Sequence, residues 1–415
     1  MKISMNKLCA VFSNALDYVE AEQLGTSENH SLRVAALCIA AGKKLNYNAD
    51  ALSALAICAM LHDNALTERP LSYTDGALLK WNKILHCEAG QDNISWLPFK
   101  TNIAGLILYH HERGDGRGPF KKREGEIPLA AALISAADAI DTKFHLQRVP
   151  IGSLSGIREI IAEHAGRYSM QSAVNIMLEV LDKNLLIELR NESIVKTVES
   201  GLPGWEQDIS DNIVVRAGSF IGRIIDYRSN TTPWHTRQVA NRAWIMADYY
   251  GYGSREKNAL FLAASMHDIG KLLTPVSAFN KPVRLDKDEA RIIRKQAANA
   301  FNLVDEITVD DVSEERAANQ NKSLKGSGYP RGGSYGASDF NSRLLACLDI
   351  YQAANEPRPY QEARSHIETM VMLYDMSTKD DIDAEIVRDI DDAMKGYPNL
   401  KVSSPLDPGF SQECK

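Results

Sequence analysis

Cysteine is scarce and unpaired in this chain. Six are spread over 415 residues, at Cys9, Cys38, Cys58, Cys87, Cys347 and Cys414, and none forms a C-x-x-C pair. That spacing excludes a dense disulfide framework and the common zinc-ribbon pattern. Most lie in apolar runs and read as small core residues, which fits a reducing cytoplasm. No apolar stretch has the length of a membrane span, and Met1 to Val19 lacks the apolar core and cleavage site of a signal peptide. No basic block stands out and the formal net charge is -7. Wide, sequence-independent binding to a nucleic acid polymer is therefore not expected. Runs of alternating polar and apolar residues are missing too, so nothing announces a sheet. No sensory segment is recognisable ahead of the first histidine motif.

What is present is helical periodicity, written twice. Leu8, Val11, Phe12, Leu16 and Val19 predict an amphipathic helix over residues 1–24, closed by the break at Gly25. A second helix is expected to open near His30, with Val34, Leu37, Cys38 and Ala41 as its stripe. A third, from about Asp50, delivers His62-Asp63 at its end. Further helices are expected over 77–90, carrying His86, over 103–111, and over 127–144, carrying Asp138 and Asp141. The fold class is all-α.

From about Asp208 the pattern begins again. Ala259 to Asp268 restates Ala54 to Asp63, and each ends in His-Asp. His62 follows His30 by 32 residues, and His267 follows His235 by 32. Gly326-Ser327-Gly328-Tyr329-Pro330 stands where the first copy has Gly116-Arg117-Gly118-Pro119-Phe120, 210 residues earlier. Two tandem copies of one helical domain follow, with Gly201-Leu202-Pro203-Gly204 as the punctuation between them. The expected domains are 1–204 and 205–415, packed through apolar helix faces as a pseudo-dimer. Full activity from an isolated 1–200 fragment would count against that packing.

Chemistry concentrates at His110-His111-Glu112-Arg113-Gly114-Asp115-Gly116-Arg117-Gly118-Pro119-Phe120. Two adjacent imidazoles stand beside carboxylates, and a glycine-rich turn with two arginines follows. Those are metal-ligand types next to a loop whose backbone and guanidinium groups suit phosphate.

The ordered set of His30, His62-Asp63, His86, His110-His111-Glu112, Asp115-Gly116-Arg117-Gly118 and Asp138 resembles the HD superfamily of metal-dependent phosphohydrolases. Within it, the set is similar to the HD-GYP family. The resemblance covers most of the chain in two copies. It implies a cytoplasmic bacterial phosphodiesterase of second-messenger signalling. The substrate implied is a small cyclic dinucleotide, cyclic di-GMP or 3′,3′-cyclic GMP-AMP, opened to the linear form. It also implies a cofactor of two divalent ions drawn from Fe, Mn, Ni or Co, since mixed imidazole and carboxylate ligation does not single one out. His30, His62, Asp63 and Asp138 would take one ion. His86, His110 and His111 would take the other, with Asp63 bridging both and counted as the catalytic residue. A hydroxide between the ions would attack phosphorus. No membrane partner is implied, and a homodimer or signalling proteins are the further partners to consider.

The copies depart from the family pattern differently. In the first, Asn64-Ala65-Leu66 stands where the family has x-Gly-Lys, and Gly118-Pro119-Phe120 stands where it has Gly-Tyr-Pro. Arg113, Arg117 and Arg148 are candidates to contact phosphate instead. The second keeps His267-Asp268-Ile269-Gly270-Lys271, Gly328-Tyr329-Pro330, His235 and Asp349. It has Gln296 and Gln320-Asn321-Lys322 at the other imidazole positions, and Lys325 opposite Asp115. It reads as a structural or regulatory domain. Two alternatives stand beside the phosphodiesterase: another nucleotide phosphohydrolase of the superfamily, and a signalling adaptor without turnover. Substituting His110 and His111 separates them, because an adaptor keeps its partner.

Overall fold

A computed structural model of the chain describes residues 2–67, 73–74, 77–78, 82–190, 193–208, 210–228, 234–274, 340–357 and 362–397. Gln296, Gln320 to Lys322, Lys325 and Gly328-Tyr329-Pro330 lie outside the described residues. The chain divides into two compact units, Ser4–Glu206 and a second formed by Gln207–Lys415 with Met1–Ile3. Each is described by itself. The architecture is all-α, and among the described residues no helix is long and apolar enough to cross a membrane.

In the first unit, α1 (Met5–Leu24) is capped by Ser4, whose side chain accepts from the Lys7 amide. It ends at Gly25, where a φ of 74° gives the left-handed stop that glycine adopts freely. Leu8, Val11, Phe12, Leu16 and Val19 are buried along one face, as their spacing requires. Next, α2 (His30–Lys44) is buried almost all round and packs on α1, on α3 (Ala49–Met60), on α5 (Leu129–Phe144), on α7 (Gln171–Val180) and on α9 (Ile194–Gly201). Gly42 permits the close crossing with α3, since a Cβ there would meet Leu52 Cδ1 at 2.7 Å. The small residues Ala131, Ala132, Ala136 and Ala137 are buried along α5, which packs on α2. This hub carries His30 as its first residue, and α3 feeds directly into His62-Asp63.

Two expectations are corrected. The helix bearing His86 is α4 (Lys83–Ile94), not 77–90. Asn82 caps it by accepting from the Ile84 and Leu85 amides, and a short antiparallel pair, Tyr73–Thr74 with Ala77–Leu78, precedes it. Residues 103–111 form successive turns in place of a helix. Gly105 has a φ of 84°, outside the helical region. The Gln91 side-chain oxygen accepts from the amides of Gly105, Ile107 and Leu108, which holds the turns open on α4. The unit also contains α6 (Leu154–Glu163) and α8 (Lys183–Glu188).

In the second unit, α10 (Asp211–Tyr227), α11 (His235–Tyr249) and α12 (Ser254–Met266) pack on one another, as α1, α2 and α3 do. His235 opens α11 as His30 opens α2. A helix carrying Asp349, α13 (Phe340–Asn355), packs on α11 as α5 packs on α2, and α14 (His366–Thr378) and α15 (Ala384–Met394) complete the described part.

Candidate metal centre

The first unit brings seven sequence-predicted residues into one buried cluster: His30, His62, Asp63, His86, His110, His111 and Asp138. The two oxygens of Asp63 face different imidazoles. Oδ1 lies 3.0 Å from His86 Nε2 and 3.4 Å from His110 Nε2, and Oδ2 lies 3.7 Å from His62 Nε2. Donors that share an ion at about 2.0–2.2 Å sit about 2.8–3.6 Å apart at octahedral or tetrahedral angles, so this spacing suits co-ligands. Asp63, His86, His110 and His111 form one compact donor group, with all ligand atoms within 4.8 Å. Glu20, His30 and His62 form a second under the same limit. Asp138 Oδ1 approaches His30 Nε2 to 3.3 Å and also accepts from Thr142.

Three of the imidazoles are pinned from behind. His30 Nδ1 is 2.7 Å from Asp141 Oδ2, His62 Nδ1 is 2.9 Å from the Ala59 carbonyl, and His110 Nδ1 is 2.5 Å from the Ile107 carbonyl. Each bond uses the Nδ1 proton and leaves the Nε2 lone pair facing inward, the outer-shell arrangement that metal-ligating histidines use. The Nε2 atoms of His30, His62 and His110 are buried without a hydrogen bond, a cost that an ion would offset. Asp141 is also held by Arg33, whose Nε donates to Oδ1 at 2.8 Å; the fully buried guanidinium is satisfied further by Glu28 and Ser27.

The electrostatics favour cations. Burial alone would raise the Asp63 carboxyl, yet His62, His110 and His86 outweigh it and hold it well below the usual range. Burial pushes His30 down, but Glu20, Asp138 and Asp141 reverse this and raise it well above its ordinary value. Burial, joined by Asp63, Asp17 and Asp138 and opposed by His30, leaves Glu20 well above its ordinary value. Burial drives His111 well down, with His110 adding to it, which keeps a ligand-type lone pair available. The chemistry of the donor set therefore fits divalent transition metals.

Glu20 and Asp141 border the cluster, and motif spacing passed over both. Glu20 Oε1 is 3.3 Å from His30 Nε2 and the residue is only 2 % exposed. A signal was present: Asp17 and Glu20 are charges set into the apolar stripe of α1. Glu112 takes an organising part. Its carboxylate accepts from the amides of Phe120 and Lys122 at 2.5 and 2.8 Å, tying the glycine turn beneath the histidine pair. Gly118 is obligatory there, since a Cβ would fall 2.6 Å from Glu112 Oε2.

The three arginines differ in what they contact. Arg113 makes a two-pronged bond to Asp115, at 3.0 and 2.6 Å, and covers the Tyr168 ring at 4.7 Å. Arg117 is exposed and contributes only its amide to Asp115. Arg148 is exposed at the end of a short turn after α5. Leu66 is buried, so its position offers nothing to phosphate.

In the second unit His235 Nε2 is 3.0 Å from Asp349, and its Nδ1 is 3.1 Å from Glu356, which stands where Asp141 stands in the first. His267 Nδ1 bonds the Ala264 carbonyl at 2.7 Å, repeating the His62 device. His235, His267 and Asp268 form a three-donor group of their own, and Lys271 Nζ, at the position Leu66 holds in the first unit, sits 2.6 Å from Asp268 Oδ2.

Two family models match the chain, each described as an HD domain, over residues 28–143 and 220–386. The 3′3′-cGAMP-specific phosphodiesterase 1 of Vibrio cholerae serotype O1 is 26% identical over 389 residues, 90% of this chain and 88% of the relative. The cyclic di-GMP phosphodiesterase response regulator RpfG of Xanthomonas campestris pv. campestris is 28% identical over 158 residues, 38% of this chain and 42% of its own. The fold is similar to the crystal structure of a cyclic GMP-AMP specific phosphodiesterase of V. cholerae, V-cGAP3. The TM-score is 0.65 at 19% identity, covering 95% of this chain and 98% of that one.

Proposed function

We propose that this chain, with two HD domains in tandem, is a metal-dependent phosphodiesterase of the HD-GYP type that opens a cyclic dinucleotide to its linear form. The observation that carries this reading is Asp63, whose two carboxylate oxygens face two separate imidazole groups. His30, His62, Asp63 and Asp138 would hold one ion, with Glu20 in reach, and His86, His110, His111 and Asp63 a second. Fe, Mn, Ni and Co all suit these donors. When bound, such ions supply positive charge to phosphoryl oxygens and bring the acidity of water near neutrality.

The chain's own residues do the positioning. Asp141, Ala59 and Ile107 fix three imidazoles, so the donor geometry is set before substrate arrives. Glu112 anchors the glycine turn beside the histidine pair. Arg113 is held over Tyr168 by its two-pronged bond to Asp115, so it meets phosphate only when that pair opens. Leu66 stands where the family has its lysine, so catalysis is assigned to the donor cluster. Residues 1–204 are assigned the catalytic role and 205–415 a structural or regulatory one, since Gln296 and Gln320-Asn321-Lys322 stand at three imidazole positions of the second copy.

Cyclic di-GMP and 3′,3′-cyclic GMP-AMP are the substrates to test. Linear product from either, lost in a His110→Ala, His111→Ala variant together with bound metal, supports the reading. Metal without turnover of either substrate would move the assignment to another nucleotide phosphohydrolase.

A further inference from the structure

A cavity of about 290 Å³ lies between α5 and the segment from α6 to α7 in the first unit. Its walls include Phe144, Ile161, Tyr168 and Val174, and its mouth carries Lys143 and His164. It is tied to the segment that follows the histidine pair. Arg113, two residues beyond His111, lies over the ring of Tyr168, and the Asp115 amide donates to the Arg167 carbonyl at 3.1 Å. Gly114 enables this contact, since a Cβ there would stand 2.7 Å from the Ser169 carbonyl oxygen.

Size, wall chemistry and charge limit the occupant. The volume is near the lower end of small-molecule sites, about 300 Å³, which suits one ring system and not a whole dinucleotide. The walls are apolar and aromatic, so they suit the face of a flat heterocycle. The rim carries positive charge: Lys143 stands at the mouth and Arg167 covers Tyr168 at 5.0 Å, whereas Arg113, over the same ring at 4.7 Å, is paired with Asp115. His164 Nδ1 donates to the Ile160 carbonyl at 2.7 Å, so its Nε2 accepts from Lys143 Nζ at 3.0 Å. That bond aims the ammonium while leaving two of its three protons for a ligand.

We propose that this cleft is a base subsite that holds one guanine of the cyclic dinucleotide, with Lys143 donating to the guanine O6 and N7 edge. The proposal rests on the phosphodiesterase reading above and specifies how that site selects its substrate. Guanine presents two acceptors on that edge, whereas adenine sets an amino donor against the ammonium. The subsite therefore discriminates against cyclic di-AMP.

The test compares steady-state kinetics of the full-length, metal-loaded protein and its Lys143→Met, Lys143→Arg and Ile160→Trp variants. Substrates are cyclic di-GMP, cyclic di-AMP and the base-free bis(p-nitrophenyl) phosphate. The proposal expects Lys143→Met to raise KM for cyclic di-GMP about tenfold relative to its effect on the base-free substrate, the size of one good base-edge contact. It expects the preference over cyclic di-AMP to shrink, with Lys143→Arg restoring most of it. Ile160→Trp, which narrows the cleft from an exposed position, should raise KM for both dinucleotides. Unchanged KM values in an active protein overturn the subsite alone, and so does an equal loss on all three substrates. A wild type that turns over the base-free substrate but no cyclic dinucleotide overturns both the subsite and the reading beneath it.

Discussion

His30 Nδ1 and Asp141 Oδ2 lie 2.7 Å apart, both fully buried, and that bond decides which nitrogen of the imidazole faces the cluster. Asp141 sits one turn after Asp138 on α5, so one helix both approaches the inner face of His30 and orients its outer face. Asp141→Asn keeps the shape and weakens the orienting charge. Metal affinity is expected to fall 10- to 100-fold, about the size of other outer-shell losses, measured by equilibrium dialysis with the fold checked by circular dichroism. Unchanged affinity in a folded variant contradicts the assignment.

Gly118→Ala tests the part played by Glu112. The added Cβ would fall 2.6 Å from Glu112 Oε2 and push the carboxylate off the Phe120 and Lys122 amides. The expected result is a drop of about tenfold or more in kcat/KM, in the range that small misplacements cost, with bound metal retained. Loss of metal in step with activity would instead make Glu112 a support of the histidines themselves.

Burial pushes the thiols of Cys9, Cys87 and Cys347 up to about 12, and Cys38 and Cys58 are also buried and raised. At pH 8 their thiolate population is negligible and reagent access is closed. Titration with a chromogenic disulfide should find at most one fast thiol, Cys414, in the native protein and all six after denaturation. A second fast native thiol would show that a buried site opens.

In the second unit burial lowers His235, but Asp349 and Glu356 outweigh it and raise it from 6.5 to about 10. The folded state then holds a proton that the unfolded chain releases earlier. Its stabilisation is full below pH 6.5 and is lost as pH rises through about 10. With chelator present, Tm is expected to decline across that window in the wild type and less steeply in His235→Gln. Parallel curves would contradict the linkage.

The donor histidines were legible because their chemistry demands an ordered set at recurring intervals, and because a duplication printed the interval twice. Of the elements around them, α1, α2, α3 and α5 were legible from apolar periodicity. What spacing could not deliver was anything decided by contacts far apart in the chain. Glu20 reaches His30 only because α1 packs beside α2, and its mark in the sequence is a charge within an apolar stripe. The 103–111 segment has a helical pattern, yet Gly105 and the Gln91 side chain, held from α4, settle it as turns. Glu112 was read with the metal-ligand types, whereas its oxygens are spent on the loop below it. Lys271 stood in the sequence as a kept motif position; its pairing with Asp268 appears only in three dimensions.

The central claim is that Asp63 serves two ions in the first unit. It is tested most directly by quantifying bound Fe, Mn, Ni and Co per chain, alongside hydrolysis of cyclic di-GMP and 3′,3′-cyclic GMP-AMP, in the wild type, Asp63→Asn and Asp268→Asn. The account predicts about two ions per chain with linear product in the wild type, as a two-metal site requires. It predicts loss of metal and turnover together in Asp63→Asn, and retention of both in Asp268→Asn. Full metal and turnover in Asp63→Asn, or their loss only in Asp268→Asn, would contradict it.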